Sequence, residues 1–190
     1  EQSWFAENLQ ATTYRGGASI ATGLNDGAWA GATTGATAVY AEGGAEEASN
    51  LAAYGRLYNG FAATSGALCP EGWHVPLRAE WEALIAKVGD ADLAGQILKA
   101  SPTDVPSWDG TNAVNFSAQA GGFRVPTTGA FTSAGIQGAW WSATETQAGE
   151  AWAALLEAGV DSVAGSSAPL SMRWSRAPPS SISTFVLRSR

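Results

Sequence analysis

The sharpest apolar pattern in the chain follows a nine-residue stretch, Leu68-Cys69-Pro70-Glu71-Gly72-Trp73-His74-Val75-Pro76. Trp81, Leu84, Ile85 and Val88 recur at i, i+3, i+4 and i+7, so one helix face is apolar and must be covered by a sheet or another helix. Pro76 cannot continue a preceding helix and holds Val75 in extended geometry, while Gly89 suits a helix terminus. The pattern predicts a rigid extended lead-in, then an amphipathic helix over 79–88.

Elsewhere the periodicity is shorter. Leu51, Tyr54, Leu57, Tyr58 and Phe61 lie near 3.6 spacing behind Glu46 and Glu47, which predicts a helix within 45–63. Leu93, Ile97 and Leu98 predict a third, stopped before Pro102. Trp4 to Leu9 reads as a short strand pinning the N-terminus, and alternation from Ala36 to Tyr40 reads as another within 36–41. Asn115-Phe116-Ser117 and Gly121 to Pro126 read as strand fragments inside a loop region, with Trp108-Asp109-Gly110 a turn. Residues 139–145 and 151–156 read as two paired strands, and 182–188 as the closing strand. No repeat of 20–50 residues is present.

Composition narrows the class. The chain has 190 residues, 45% of them apolar, enough for one domain with a sizeable core. Only 14% are charged and 23 are glycine, which predicts a loop-rich fold with neutral polar turns. Nine tryptophans suit either a core or a binding surface. A net charge of −7 and a pI near 4.6 argue against a nucleic-acid partner. No run of eighteen apolar residues predicts membrane insertion. Glu1 to Trp4 do not resemble a signal peptide, so an exported form would have had its signal removed or would carry it on a longer parent chain. A single cysteine cannot form an internal disulfide, and one cysteine with one histidine cannot build a usual zinc site.

Several motifs then occur in a fixed order: Trp4-Phe5-Ala6-Glu7-Asn8-Leu9, Tyr54-Gly55-Arg56-Leu57-Tyr58-Asn59, Leu68 to Pro76 with Ala79-Glu80-Trp81, Gly121-Gly122-Phe123-Arg124, and Trp140-Trp141-Ser142-Ala143-Thr144-Glu145 followed by Ala151-Trp152. In this order they resemble the Fibrobacter succinogenes major paralogous domain family, over roughly residues 2–156 and only weakly beyond. The resemblance implies an α+β chain of C-type-lectin-like fold, in the group that includes formylglycine-generating enzymes. Two main helices would pack on twisted antiparallel sheets, loop-rich, with the termini close together. One lectin-like domain over 1–190 is expected, with 158–190 a divergent C-terminal segment. The family occurs on secreted and surface proteins and supplies no catalytic residues to carry over.

Two departures follow from the same resemblance. The family closes on a strand whose last cysteine is expected to pair with the one at Cys69; here Thr184 to Ser189 stand in its place, with serine at the end. Cys69 is therefore expected to be a buried free thiol, at a cost of about 2–5 kcal/mol if nothing replaces the link. The stretch from Ala158 to Ser183 is also longer than expected, and from Ala151 onward there is no asparagine, lysine, tyrosine or histidine. Related lectin-fold proteins include variable proteins of diversity-generating retroelements, whose scrambled asparagine codons would leave such a composition. An ordinary divergent surface loop, a GC-rich genome or a shifted reading frame would leave it too.

The expected function is a non-enzymatic recognition module, secreted, on a cell surface or on a virion, binding a protein or glycan ligand on another surface. Its ligand-binding residues are expected to be Trp152, Glu157, Asp161, Arg173, Trp174 and Arg176, with aromatic and arginine side chains as anchors. No cofactor or metal is expected. The alternative is an assembly subunit of a virion or surface fibre that contacts copies of itself, because the last twenty residues carry four arginines and no acid. An enzyme is the third reading. His74 and Glu145 are expected to be structural, and the Glu-Pro-Asn, Gln-Pro-Asp and Trp-Asn-Asp motifs of calcium-dependent sugar binding are absent. Gly121-Gly122 lacks the helix that a phosphate loop needs.

Overall fold

The computed structural model describes residues 2–169, 182–183 and 187–188. Helices and antiparallel sheets are mixed along the chain, an α+β architecture. Strand β1 (Ser3–Trp4) comes first and α1 (Asp26–Ala30) second. Then follow β2 (Thr37–Ala38), α2 (Glu47–Tyr54), β3 (Leu57–Tyr58) and α3 (Gly60–Ala63). The long helix α4 (Arg78–Val88) and the short α5 (Ala94–Leu98) complete the helices among the described residues. Strands β4 (Gly121–Arg124), β5 (Phe131–Ala134), β6 (Gln137–Gln147), β7 (Glu150–Glu157), β8 (Ala164–Pro169), β9 (Ile182–Ser183) and β10 (Leu187–Arg188) follow.

The main sheet has the order β2-β3-β9-β6-β7-β8. Its centre is the β6–β7 hairpin, with Trp140 opposite Ala154 and Trp141 opposite Ala153. The apolar helix face expected at 79–88 is α4, and it buries Trp81 and Leu84. Trp81 meets Trp140 across the interface at 6.3 Å and meets Trp4 at 4.9 Å. Glu80 accepts the Leu77 N–H at 2.7 Å, which satisfies one donor at the helix start. Gly89, at φ 109, ends the helix as expected. β1 pairs with β10, so residue 3 stands beside residue 188.

The expected helix within 45–63 is broken in the middle. α2 stops at Tyr54, and Gly55 takes φ 68, which an L side chain rarely adopts. A Cβ on Gly55 would also come within 2.8 Å of the Asn8 side chain. Leu57 and Tyr58 share the helical spacing, but as β3 they lie between β2 and β9 and are fully buried. Their apolarity reflects a strand covered on both faces.

Other expectations shift as well. The strand within 36–41 contracts to β2. Asn115 and Ser117 both have φ 55, so the segment around Phe116 is a turn and not a strand. Helix α1 escapes the apolar pattern because only Trp29 is buried on it; its start is set by Asn25, whose side chain accepts the Ala28 N–H at 2.9 Å. The closing strand is described as two pieces in different sheets, β9 and β10. Residues 164–169, expected to be loop, form a strand of the main sheet: β8 pairs with β7 from Leu155↔Ala164 to Glu150↔Pro169, and Ala168 is buried.

A second, smaller core explains the Gly-Gly-Phe-Arg motif. Arg124 is buried between the rings of Trp29 and Phe131, at 4.6 and 4.7 Å. It donates to the carbonyls of Leu24 and Gly129 and to Asp26. Gly122, at φ 64, lets β4 pass so close to β5 that a Cβ would stand 2.5 Å from the Thr132 carbonyl oxygen.

Candidate functional site

The end of the sheet where β7 turns into β8 combines a fixed backbone with outward-facing side chains. The turn itself is Ala158 to Val163, with Gly159 at φ 75. Its carbonyls and amides are held from inside. Lys99 is fully buried, and its Nζ donates to the carbonyls of Glu157 and Val160, both at 3.1 Å. The same Nζ stands 2.8 Å from Asp109 Oδ1 and 5.4 Å from the centre of the Trp108 ring. Asp109 Oδ2 accepts the Gly159 N–H at 2.6 Å. The Gln96 N–H donates to the Asp161 carbonyl at 2.9 Å, and the Ala158 N–H to the Ile136 carbonyl at 2.8 Å.

Two glycines make this closeness feasible. A Cβ on Gly95 would stand 2.5 Å from the Ser162 carbonyl oxygen, and one on Gly110 would lie 2.2 Å from that of Lys99. Burial works against the charged form of Asp109, but the Gly159 N–H and Lys99 outweigh it, so the carboxyl is held below its ordinary range. A buried ammonium is tolerated here because it has a carboxylate and two carbonyls as partners.

Val163 packs against the core, but the side chains from Glu157 to Asp161 face outward. Glu157 and Asp161 are exposed, and among the described residues neither has an ion-pair partner. Val160 is 40% exposed and Ile136, on the adjoining β5–β6 turn, 54%. The arrangement is two exposed apolar residues and two exposed carboxylates on and beside a clamped backbone.

Of the residues expected in the site, Glu157 and Asp161 stand together on this turn. Trp152 does not join them. It is 7% exposed, its indole lies against Gly165, where a Cβ would come within 2.6 Å of the ring, and the Arg78 guanidinium sits 5.9 Å from the ring centre. It is a packing residue between β8 and α4, in line with the apolar strand it belongs to. Arg173, Trp174 and Arg176 lie outside the described residues.

Lys99 and Asp109 are the residues that sequence reasoning missed. Asp109 was legible only as part of a turn, and its partners lie ten residues back, at Lys99, and fifty residues on, at Gly159. A lone lysine directly after the apolar Ile97-Leu98 was the one available signal. Ile136 and Val160 gave none, because isolated apolar residues, here each after a glycine, are common on surfaces.

The other candidates resolve into structure. His74 Nε2 lies 2.9 Å from Glu80, the same carboxylate that receives the Leu77 N–H, so the pair organises the start of α4. Cys69 is a buried free thiol, pushed up to about 12 by burial, which makes it a poor nucleophile. Glu145 is exposed on β6 at a register shift. Trp140 and Trp141 are fully buried, and each indole N–H donates inward, to Asn8 Oδ1 at 3.0 Å and to the Tyr58 carbonyl at 2.8 Å. Among the described residues no group of three or more His, Cys, Asp or Glu is placed to hold a metal ion, and no helix is long and apolar enough to cross a membrane.

Residues 1–176 match the family model described as the Fibrobacter succinogenes major domain, a match that runs past residue 156, where the quoted motifs end. No curated protein and no solved structure matches the chain.

Proposed function

The chain belongs to the Fibrobacter succinogenes major domain family, and on that premise we propose that it is a non-catalytic recognition module of C-type-lectin-like fold, displayed outside the cell or on a virion. Its contact face is the β7–β8 end of the main sheet. The observation that carries the reading is the turn at 158–163: its backbone is clamped by Lys99 and Asp109 while Glu157, Val160 and Asp161 stay exposed. A binding surface gains affinity when its loops are ordered before the partner arrives, and such a clamp supplies that order. The face suits a protein or glycan ligand that offers cations or hydrogen-bond donors around a small apolar contact. The expectation that Arg173, Trp174 and Arg176 take part in binding rests on the sequence, since these residues lie outside the described ones.

The test is a glycan and protein array probed with the wild-type chain and with the Glu157→Ala/Asp161→Ala double variant. The expected result is a specific signal that the double variant loses while its urea midpoint stays at the wild-type value. A signal indifferent to both substitutions would move the contact face elsewhere. A retroelement origin for the C-terminal residues is tested at the locus: a nearby near-identical template carrying adenines at the varied positions supports it, and the absence of one defeats it.

A second reading, an assembly subunit, is favoured by one observation. Among the described residues β8 is an edge strand, and the chain from Ser162 to Met172 carries no charge. Natural edge strands are usually blunted by charge or bulges against pairing with another copy.

A further inference from the structure

A pocket of about 120 Å³ lies where the N-terminal segment meets the end of α2. Glu7 and Gln10 line it from one side, Ala52, Ala53 and Gly55 from another, and Ser117 from a third. The volume is the share of about four water molecules. Pockets for drug-sized ligands hold about 300–1,000 Å³, so this one suits a head group and not a whole molecule.

The end of α2 gives the pocket its sign. The last carbonyls of a helix have no partner inside it. Leu51 is the last to receive a helical bond, from the Gly55 N–H at 3.0 Å. The Arg56 N–H, which would close the next bond to Ala52, donates to the Leu9 carbonyl at 3.1 Å instead. The Tyr54 carbonyl accepts Asn8 Nδ2 at 2.9 Å. Ala52 and Ala53 are the residues on the pocket wall, so the negative end of the helix dipole lies there. The exposed Glu7 adds a full negative charge. A second carboxylate stands behind Ser117: Asn112 Nδ2 donates to Ser117 Oγ at 2.8 Å and to Asp104 Oδ2 at 3.0 Å.

Three sources of negative potential thus meet at one small volume, which selects a cation that only donates. They come from three separate elements and do not form the flat two-oxygen edge that a guanidinium matches. An ammonium has three donors that turn to meet scattered acceptors. Val105 also lines the pocket and is 95% exposed, so it stands at the rim. With the methyl groups of Ala52 and Ala53 it offers apolar surface to an alkyl stem.

We infer that this pocket receives a primary alkylammonium group, with the charge at Glu7 and the end of α2 and the stem along Val105. It uses none of the residues of the β7–β8 turn and does not rest on the recognition reading.

The experiment is an NMR titration of the nitrogen-15-labelled full chain with n-butylammonium chloride at constant ionic strength, with n-butanol as the neutral probe of similar shape. The expected result is saturable shifts in the millimolar range at the amides of Glu7, Ala53, Gly55 and Ser117, and none with n-butanol. Glu7→Gln keeps the shape and removes the charge, and is expected to weaken binding at least about tenfold. Ala52→Leu, at an exposed helix position, fills the pocket from its wall and is expected to abolish the shifts. Spectra unchanged away from the pocket show that both variants are folded. The inference is overturned if the four amides do not respond to the amine, if n-butanol binds equally well, or if either variant titrates like the wild type. A lysine capped at its backbone amine and carboxyl separates the two sources of the group. Binding at least as tight as that of n-butylammonium assigns the pocket to a lysine side chain of a partner, and binding of n-butylammonium alone assigns it to small free amines.

Discussion

Lys99 Nζ stands 2.8 Å from Asp109 Oδ1, and both residues also hold the backbone of the β7–β8 turn, the lysine through Glu157 and Val160 and the aspartate through Gly159. Lys99 lies inside and Asp109 is 38% exposed, so one end of the pair is dry and the other wet.

Replacing Lys99 with methionine keeps most of the side-chain volume but removes the charge, leaving a carboxylate and two carbonyls without their donor. Breaking a buried pair from one side costs about 3–5 kcal/mol, and the water access of Asp109 puts this case at about 3. Urea unfolding measures the total. Hydrogen exchange should show the amides of 158–162 losing protection first. Uniform loss across the sheet would mean that the lysine supports the whole core and not the turn.

The same pair sets an acid dependence. The Asp109 carboxyl lies lower in the folded chain than its unfolded value of about 3.9. Its contribution is therefore full above that value and is lost as pH falls through the folded value. Asp104 acts in the same direction, held low by the Ser101 N–H and hydroxyl and by Asn112. The stability gap between wild type and Asp109→Asn should be constant from pH 7 to about 5 and close below about 4. A gap that persists at pH 2.5 would show that the bond to Gly159 does not depend on the charge.

Cys69 offers a direct reading of global opening. It is 4% exposed and its thiol is pushed up to about 12 by burial. At pH 8 the native chain should not react with a thiol-specific disulfide reagent, whereas the unfolded chain, with a thiol near 8.5, should react within seconds. Because the folded value is raised, the thiol's contribution is full below the unfolded value and disappears as pH climbs from about 9 towards about 12. Fast labelling under native conditions would place Cys69 in a locally opening segment.

What could be seen in the sequence was what repeats at a short period. The apolar face of α4 and the short apolar runs of the β6–β7 hairpin each announce themselves within a dozen residues. Leu57 and Tyr58 misled because helical spacing and a doubly covered strand both put large apolar residues close together, and only Asn8, forty-seven residues away, reveals that Gly55 must break the helix. The candidate turn was half legible. Glu157 and Asp161 stand out as the last acids of the chain, but the clamp beneath them joins positions 99, 109 and 160, and no local pattern encodes such a meeting. Trp152 was misplaced because a tryptophan in a strand reads the same whether a neighbouring Gly165 leaves room to bury it or not.

Gly122→Ala tests the small core. The position has φ 64, and a Cβ would stand 2.5 Å from the Thr132 carbonyl oxygen and 2.6 Å from the Ala134 nitrogen. Both neighbours are backbone and cannot swing away, so strain and displacement of β5 add. A loss of about 2–4 kcal/mol is expected in urea unfolding. Gly66→Ala is the control: it also has positive φ, but a Cβ there meets nothing within 4 Å, so only the backbone strain remains, about 1 kcal/mol. Equal losses at the two sites would mean that contact with β5 contributes nothing.

Asn8 joins three of the sequence motifs at one side chain. Its Oδ1 accepts the Trp140 indole N–H at 3.0 Å, its Nδ2 donates to the Tyr54 carbonyl at 2.9 Å, and its Cβ lies where a side chain on Gly55 would have to go. The amide is the one group of this size with a donor and an acceptor so placed. Asn8→Leu keeps the volume and removes both bonds, with an expected cost of about 2–4 kcal/mol, since each buried group left without its partner loses about 1–3 kcal/mol. Asn8→Asp keeps the acceptor for Trp140 but turns the donor facing Tyr54 into a second acceptor. Its loss should therefore be large at pH 7 and smaller at pH 4, where the protonated carboxyl can donate again. Urea midpoints of the two variants at both pH values decide the matter: an Asp variant whose deficit does not shrink in acid would show that the bond to Tyr54 is not what Asn8 contributes.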